Sequence, residues 1–455
     1  MNFQKKAFQL FTLVATTVIV MSSCSSKNED DTVVTPPVSV DTVVTGTLSA
    51  NKTLTSDRTW ILKGYVYVPN GITLTIQAGT TIKSDISQKG ALIVERGGKL
   101  EAAGTADRPI VFTSGKAAGS REPGDWGGII LLGNARTNRS TPPVIEGGVD
   151  RVYGGTNDAD NSGTLRYVRI EYAGIAAFPG SEINGLTLGG VGSGTTIEYV
   201  QVSYGNDDAF EFFGGNVNAK YLVASYTADD DFDFDFGYRG NLQYGVALRD
   251  PAFVDAGDAG NGVECDNDGT GTTASPFTEP VISNFTWVGP NNASGTAANH
   301  NFGMRWRRAT KFRVFNSILM GWQKGGFSVE SMGTADSLKS GSTRFRYNLV
   351  HAVVDPFRRG SDATAAFAAN ADVETLLTNT TNANVKYASA NDINLTAPFN
   401  LTSPNLLPNT GSPALSGANF TDLTGNNFFT STTFRGAFGT TNWMQGWTRF
   451  FTKGN

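Results

Sequence analysis

Cysteine and histidine are scarce in this sequence. Its 455 residues include two cysteines, Cys24 and Cys265, and two histidines, His300 and His351. If Cys24 is modified, Cys265 has no partner left, so a disulfide framework is excluded as the basis of the fold. A zinc site built from three histidines, or from cysteine with histidine, also lacks the ligands it needs.

Charge and helical periodicity are low as well. Charged residues make up 17% of the chain, the formal net charge is −5, and no basic block occurs. We therefore do not expect nucleic acid as a partner, because affinity for it depends on clustered Lys and Arg. Glycine is abundant, with 53 residues, and glycine-containing turns separate short runs of β-favouring residues. The pattern predicts an all-β protein.

The N-terminus has the pattern of an export signal. Two lysines precede an apolar run over residues 7–21, and two serines then lead to Cys24. The run is too short for a comfortable spanning helix, so residues 1–23 are predicted to be a signal peptide. The end of the run resembles a bacterial lipobox in which Met21 replaces the usual Leu, and this predicts lipidation of Cys24. The alternative is an ordinary signal peptide with an incidental cysteine.

Residues 24–45 are predicted to be a flexible, lipid-anchored linker. An acidic run at residues 29–31 follows the cysteine closely, and Pro36-Pro37 favour an extended chain. The acidic run resembles the signal that directs Bacteroidota-type lipoproteins to the outer face of the outer membrane, and the alternative is a solvated tether. The expected location is the outer membrane, lipid-anchored and facing the cell exterior.

Internal repeats predict a solenoid. The segments at 167–172, 199–204 and 221–226 share the pattern Tyr-x-x-x-x-Tyr, at offsets of 32 and then 22 residues. Asparagines recur later at a spacing of 32 and are expected to form a hydrogen-bonded ladder: Asn284, Asn316 and Asn348. A period of 22 residues, alone or with a loop of about ten, is typical of one solenoid coil. A β-propeller or a sandwich is the alternative.

The body of the chain resembles a known family. Residues 71–114 contain glycine-bounded apolar runs, and residues 125–129 (Asp-Trp-Gly-Gly-Ile) continue the pattern. In order and spacing these segments resemble the first coils of pectate-lyase-like proteins, which implies a right-handed parallel β-helix over residues 46–415. Residues 406–416 resemble the last coil of such proteins. We expect the aromatic-rich residues 416–455 to form a C-terminal cap over the open end.

The densest group of ionisable residues lies in the middle of the predicted solenoid. An offset of 22 places Asp207 over Asp229 and Glu211 over Asp233. Because adjacent coils lie about 4.8 Å apart, stacked carboxylates repel and require a cation, a basic partner or raised pKa values. Calcium is the expected cofactor, since it takes several hard oxygens from flexible loops. Its expected ligands are Asp207, Asp229, Asp230, Asp233, Glu264, Asp266 and Asp268.

Later strands of the same predicted sheet add basic and aromatic residues. A surface that changes from acidic to rich in Arg and Trp suits a glycan or a carboxylated ligand. The expected ligand-binding residues are Glu211, Arg305, Trp306 and Arg307. The alternative is that the acids cap turns and pair structurally with Arg239, Arg249 and Arg305.

A second resemblance concerns function. Residues 210–215, 229–233, 237–241 and 435–439 carry motifs that resemble an uncharacterised family of outer-membrane lipoproteins. The resemblance covers most of the mature chain and implies association with outer-membrane nutrient uptake. It carries no established catalytic residues.

Three functions are compatible with these features. The favoured one is a non-catalytic module that binds a ligand or a partner, such as a TonB-dependent β-barrel of the outer membrane. The second is a calcium-dependent polysaccharide lyase or a glycoside hydrolase, although the Gly-His-Gly motif of polygalacturonases is absent one coil after Asp208. The third is a structural component of an outer-membrane complex. For an enzyme, the candidate catalytic residues are Asp207, Asp208, Arg239 and Arg305.

The lipobox leads to the first prediction. Cells fed a labelled fatty acid should incorporate the label into the protein, and Cys24→Ala should abolish incorporation because the acceptor thiol is gone. Gel autoradiography measures this, with Cys265→Ala as the matched control. Label that persists in Cys24→Ala would remove the lipoprotein interpretation.

Overall fold

The computed structural model describes residues 42–178 and 181–455. The predicted signal peptide, Cys24 and nearly all of the predicted linker lie outside the described residues. The described chain winds into successive coils whose strands pair in parallel with those of the coil before. The predicted right-handed parallel β-helix is confirmed. Its first strand begins at Val43, so the solenoid starts slightly before the expected position.

Three parallel sheets line the coils. Sheet 1 contains Lys52–Leu54, Thr73–Ile76, Lys99–Ala103, Arg313–Phe315 and Arg344–Arg346. Sheet 2 contains Thr81–Ser84, Ile110–Thr113, Ile318–Trp322, Leu349–Ala352 and Val385–Lys386. Sheet 3 contains Ala91–Val94, Ile129–Leu132, Leu186–Gly189, Phe210–Phe213, Phe232–Asp235, Glu264–Cys265, Phe302–Trp306, Gly325–Val329 and Asp355–Arg359.

Long strands run through two sheets each. Those that pass from sheet 1 into sheet 2 are Gly163–Glu171, Thr196–Ser203, Asn218–Ser225, Asn241–Leu248 and Val281–Val288. Thr59–Val68 passes from sheet 2 into sheet 3, with Val43–Thr47 beside it. Two antiparallel hairpins lie outside the solenoid sheets, Ile175–Phe178 with Ser181–Ile183 and Leu395–Ala397 with Asn405–Pro408.

Helices are few among the described residues. The α-helices are Met332–Ser340 and Asn370–Thr378, and short 3-10 turns occur at Ser361–Ala363, Ala390–Ile393, Pro413–Leu415 and Thr421–Leu423. Within this part of the chain, no helix has the length and hydrophobicity to cross a lipid bilayer. Val373 and Leu377 of the second α-helix join the main core cluster beside Phe357, so this helix covers the interior near the last coils.

Tyrosines form the corner between sheets 1 and 2. Tyr167, Tyr199 and Tyr221 have φ of 49°, 54° and 59°, a left-handed conformation that is costly for an aromatic residue. Each interrupts the register of its strand and redirects the chain. Their rings stack with centroids 4.4 Å and 4.2 Å apart, and such contacts contribute about 0.5–1.5 kcal/mol each beyond area burial. The stacking therefore offsets the backbone strain.

The sequence repeats give the register between coils. Val202 pairs with Ala224, as the offset of 22 predicts. The expected asparagine ladder is only partly correct. Asn284 and Asn316 occupy equivalent corners, but a shorter loop puts Tyr347 in the next equivalent position and moves Asn348 over Ser317, whose N–H it accepts at 2.8 Å.

The C-terminal segment 416–455 differs from the expected end cap. It runs back along the outside of the solenoid, from Asn316 to Tyr172, and we call it the strap. The side-chain amide of Gln201 donates to the Arg449 carbonyl at 2.8 Å and accepts the Arg449 N–H at 2.9 Å. Asn316 contacts the backbone of Asn419 in the same way, and the Tyr172 hydroxyl donates to the Asn455 carbonyl. Within the described chain, the strap pairs with no β-strand. Its backbone bonds instead to side-chain amides on the outside of the solenoid.

Gln243 contacts the strap in the same two-bond manner. It donates to the carbonyl and accepts the N–H of Thr430, at 2.7 and 2.9 Å. Further along, Trp447 is 1% exposed and packs edge-on against Tyr167 and Tyr199. The aromatic residues of the strap are therefore buried as expected, but they pack on the side of the solenoid and not over its open end. That side supplies both the amides and the tyrosine rings that the strap contacts.

This geometry gives the second prediction. Gln201→Glu and Gln243→Glu each replace a donor with an oxygen that faces a strap carbonyl, at a local cost of about 1–3 kcal/mol. Amide hydrogen exchange over residues 428–451 should become faster, while the coils stay protected. The control is Gln77→Glu, since Gln77 is exposed. Unchanged exchange in the strap would mean that its aromatic contacts alone hold it.

Candidate functional site

Sheet 3 carries the candidate site on its outer face. Its strands alternate between core and solvent positions, so Phe232 and Phe234 are buried in the core while Asp233 faces outward. The register between coils places the outward residues in one row. In order along the sheet, this row consists of Thr187, Glu211, Asp233, Glu264, Arg305, Ser328 and Arg358. The outer face therefore changes from acidic to basic.

A ladder of side chains holds the turn that precedes sheet 3. Asn184 Oδ1 accepts the N–H of Asp208 at 3.2 Å, and Asp208 Oδ1 accepts the N–H of Asp230 at 2.8 Å. Asp230 Oδ1 in turn accepts the N–H of Asn261 at 2.6 Å. Each carboxylate uses one oxygen to satisfy the backbone of the next coil. Its other oxygen remains for a further ligand.

Carboxylates from the turn and the strands converge into what we call the acidic column. Its members are Asp207, Asp208, Glu211, Asp229, Asp230, Asp233 and Glu264. Burial and the neighbouring Asp207 raise the pKa of Asp229 to about 8, and burial with Asp230 raises the pKa of Glu264 to about 8. Burial and adjacent carboxylates also hold the pKa values of Asp208 and Asp233 well above their usual range. The column is therefore difficult to ionise without a cation.

The nearest buried cation does not neutralise the column. Arg249 has a fully buried side chain and pairs with Asp231 at 3.1 Å. It also donates to the carbonyls of Thr227 and Asn261, so each of its three nitrogens has a partner outside the column. Among the residues that the structure describes, Glu264 is the one member of the column with an ion pair, and its partners are Arg305 and Arg307.

The carboxylate oxygens are close enough to share cations. Three overlapping sets each have one oxygen per residue within 4.8 Å of the others. Two oxygens at that separation can both lie about 2.4 Å from an ion between them, the usual distance in calcium sites. The sets are Asp207 with Asp208 and Asp229, Asp208 with Glu211 and Asp233, and Asp230 with Asp233 and Glu264. The geometry thus brings together five of the seven residues expected to bind metal.

The other two expected metal ligands have different partners. Asp266 pairs with Arg307 at 2.9 Å and with Arg308 at 2.6 Å. Asp268 closes a turn with Thr270 and Thr272, and although burial raises its pKa, bonds from Thr272 and then Thr270 lower it to about 2. Neither residue joins the three sets. Asp268 departs from the row because the strand ends at Cys265.

The expected ligand-binding residues fall into two groups. Glu211 lies in the column, and Arg305 and Arg307 face outward beside it. The assignment of Trp306 to a binding surface is wrong: its side chain is 0% exposed and stacks on Phe312 with ring centroids 4.2 Å apart. Alternation along the strand decides this, since the two flanking arginines occupy the outward positions.

The two arginines among the candidate catalytic residues form ion pairs with carboxylates. Arg239 lies in the turn after sheet 3 and pairs with Asp158 at 2.7 Å, so it does not contact the column. Arg305 pairs with Glu264 at 3.0 Å and with Glu330 at 3.2 Å. Although burial lowers it, these carboxylates raise the pKa of Arg305 above its ordinary value. A guanidinium held in this way is a poor proton acceptor.

Sequence reasoning missed two acids that border the column. Burial raises the pKa of Glu146 to about 7, although the neighbouring Glu211 lowers it. Both Glu146 and Glu182 add to the negative field that raises the pKa of Asp207, after burial itself. Both residues lie in insertions between the strands of the sheets. These insertions lack the sequence repeat, so periodicity could not predict their position.

Comparison with known proteins agrees with this architecture. The family model described as a pectate-lyase like beta helix domain matches residues 46–448, and the chain belongs to this family. No curated protein and no solved structure matched the chain.

The raised pKa values give the third prediction. An acid with a raised folded-state pKa binds more protons when folded, so its stabilising effect is lost as pH rises through that pKa. With chelator present, stability should fall between about pH 4 and pH 8, the window set by Asp229 and Glu264. Asp229→Asn should flatten this fall by an amount on the order of a few kcal/mol.

Thermal melting across this pH range measures the effect. Asp268→Asn is the matched control, because a pKa near 2 confines its own titration to lower pH. An equal slope in wild type and Asp229→Asn would show that the column does not titrate in this range.

Proposed function

We propose that the protein is a non-catalytic binding module whose ligand contacts depend on calcium held by the acidic column. The observation that carries this proposal is a group of seven converging carboxylates of which only Glu264 has a basic partner among the described residues. Such a group needs positive charge from outside the protein to be ionised at neutral pH. Calcium suits it because every available donor is a hard oxygen.

Binding is favoured over catalysis by what surrounds the column. A lyase needs a base beside the metal, yet Arg305 is fixed between two carboxylates and Arg239 pairs with Asp158. A hydrolase of the polygalacturonase kind would need a histidine one coil after Asp208, and that coil has Gly237-Tyr238-Arg239 instead. The family does not decide the matter, since one fold supports many activities.

The proposed setting is the outer surface of the outer membrane. Support comes from the sequence alone: the lipobox-like segment ending at Cys24 and the acidic run that follows it. There the module would serve an outer-membrane β-barrel of the TonB-dependent type, by presenting its ligand or by contacting the barrel directly. Cross-linking on intact cells tests this. Recovery of such a barrel with wild type but not with Cys24→Ala is expected, and recovery of none would oppose it.

The fourth prediction tests the column. Calcium should raise the thermal midpoint of the chelator-treated protein, because a ligand selective for the folded state stabilises it by about 2.7 kcal/mol at one hundred times Kd. Asp229→Asn with Asp233→Asn should remove this response. The matched control is Asp57→Asn with Asp107→Asn, which makes the same charge change at exposed sites.

Other outcomes separate the alternatives. Turnover of a uronate polymer to unsaturated products, lost in Arg305→Ala, would establish a lyase and end the non-catalytic proposal. A midpoint insensitive to calcium, with both Asn substitutions tolerated, would identify the acids as structural. A role in a membrane complex would then be the surviving function.

A further inference from the structure

A separate cleft lies beyond the acidic column on sheet 3, toward the C-terminal coils. It has a volume of about 480 Å³ and opens between the strand Phe302–Trp306 and the strand Asp355–Arg359. The residues of its lining that matter here are Asn301, Phe302, Lys324, Glu330, Arg358 and Asp362. They belong to three successive coils, so the cleft crosses the coil direction.

Some charged residues of the cleft have ion-pair partners and others have none. Glu330 pairs with Arg305 and accepts a bond from Ser328. Lys324 and Arg358, by contrast, form no ion pair with any residue that the structure describes, and neither does Asp362 at the exposed rim. Two unpaired cations therefore face one unpaired carboxylate, and an anion of a ligand would complete the pairing.

Two buried polar atoms in the cleft also lack partners. The Nε of Arg358 is buried and bonds to none of the described residues. Asn301 is 8% exposed, and its Oδ1 is likewise unbonded within the described chain. A buried donor or acceptor without a partner destabilises the folded protein, so a ligand that bonds to these side chains would relieve that cost.

Arg358 packs against an aromatic ring of the cleft. Its Cζ lies 4.5 Å from the centroid of the Phe302 ring, and Phe302 is 6% exposed. This cation–π contact holds the guanidinium against the ring. The N–H donors on its edge remain in the fork geometry that binds a carboxylate or sulfate through two bonds.

We propose that this cleft is a binding site for a hydroxylated oxyanion. The oxyanion bonds to Arg358 and Lys324, and a ligand hydroxyl bonds to Asn301. The site needs no metal, so it is independent of the calcium site proposed above. A ligand carrying acidic groups at intervals could then contact the cleft directly and the acidic column through a cation.

The test uses gluconate, which carries a carboxylate and hydroxyls, with sorbitol as its uncharged counterpart and inorganic sulfate as a bare oxyanion. Titrations by calorimetry at constant ionic strength and with chelator present give the affinities. Gluconate should bind, sulfate should bind more weakly, and sorbitol should not bind. Arg358→Gln should weaken gluconate about tenfold or more, and Lys324→Gln several-fold.

Two further variants make the test specific. Asp362→Asn should strengthen binding, because it removes the unpaired carboxylate at the rim. Lys63→Gln with Lys99→Gln lowers the positive charge on distant coils and should leave affinity unchanged. Since Lys324 is exposed, its variant tests the site even if Arg358→Gln fails to fold. Equal gluconate affinity in wild type and Lys324→Gln, or no binding at all, would overturn the proposal. Because chelator is present throughout, neither result bears on the calcium site.

Discussion

Neighbouring coils are joined by parallel backbone hydrogen bonds in register, which set Phe232 beside Phe210 and Asp233 beside Glu211. Once this register exists, equivalent positions of successive coils lie side by side. The inward positions become columns of aromatic rings, with Phe210 and Phe232 stacked 5.1 Å apart between centroids. Some outward positions become a column of like charge, as Glu211, Asp233 and Glu264 do. The core and the candidate site are thus two consequences of one pairing pattern.

The fold tolerates the repulsion among the carboxylates because burial of the apolar side chains stabilises it more than the repulsion destabilises it. Full burial of a large apolar side chain contributes about 1.5–3 kcal/mol, and the interior contains such side chains in every coil. Repulsion among the acids is confined to the few coils around Asp229 and Asp233. There it is expressed as raised pKa values, and the proposed calcium would relieve it. The strap adds to the same stability through amides such as Gln201 that replace strand pairing on one flank.

The two proposed binding regions on sheet 3 are the acidic column and the cleft, and the ion pairs of Arg305 lie between them. Arg305 lies between Glu264 and Glu330, and it divides the acidic column from the cleft that contains Lys324 and Arg358. The column would take a cation and the cleft an oxyanion. Because both occupy outward positions of adjacent coils, one extended acidic ligand could contact both. This arrangement supports recognition without requiring a catalytic base.

The sequence by itself determined the features that depend on periodicity. Offsets of 22 residues predicted the solenoid and the register that places Asp229 over Asp207 and Asp233 over Glu211, because strand pairing follows local pattern. Tertiary structure decided what no repeat encodes. It placed Trp306 in the core, closed Asp268 into a turn and brought Glu146 to the column, since these outcomes depend on where a strand ends and how an insertion folds. It also laid the strap along a flank, because amides and rings distant in sequence converge only there.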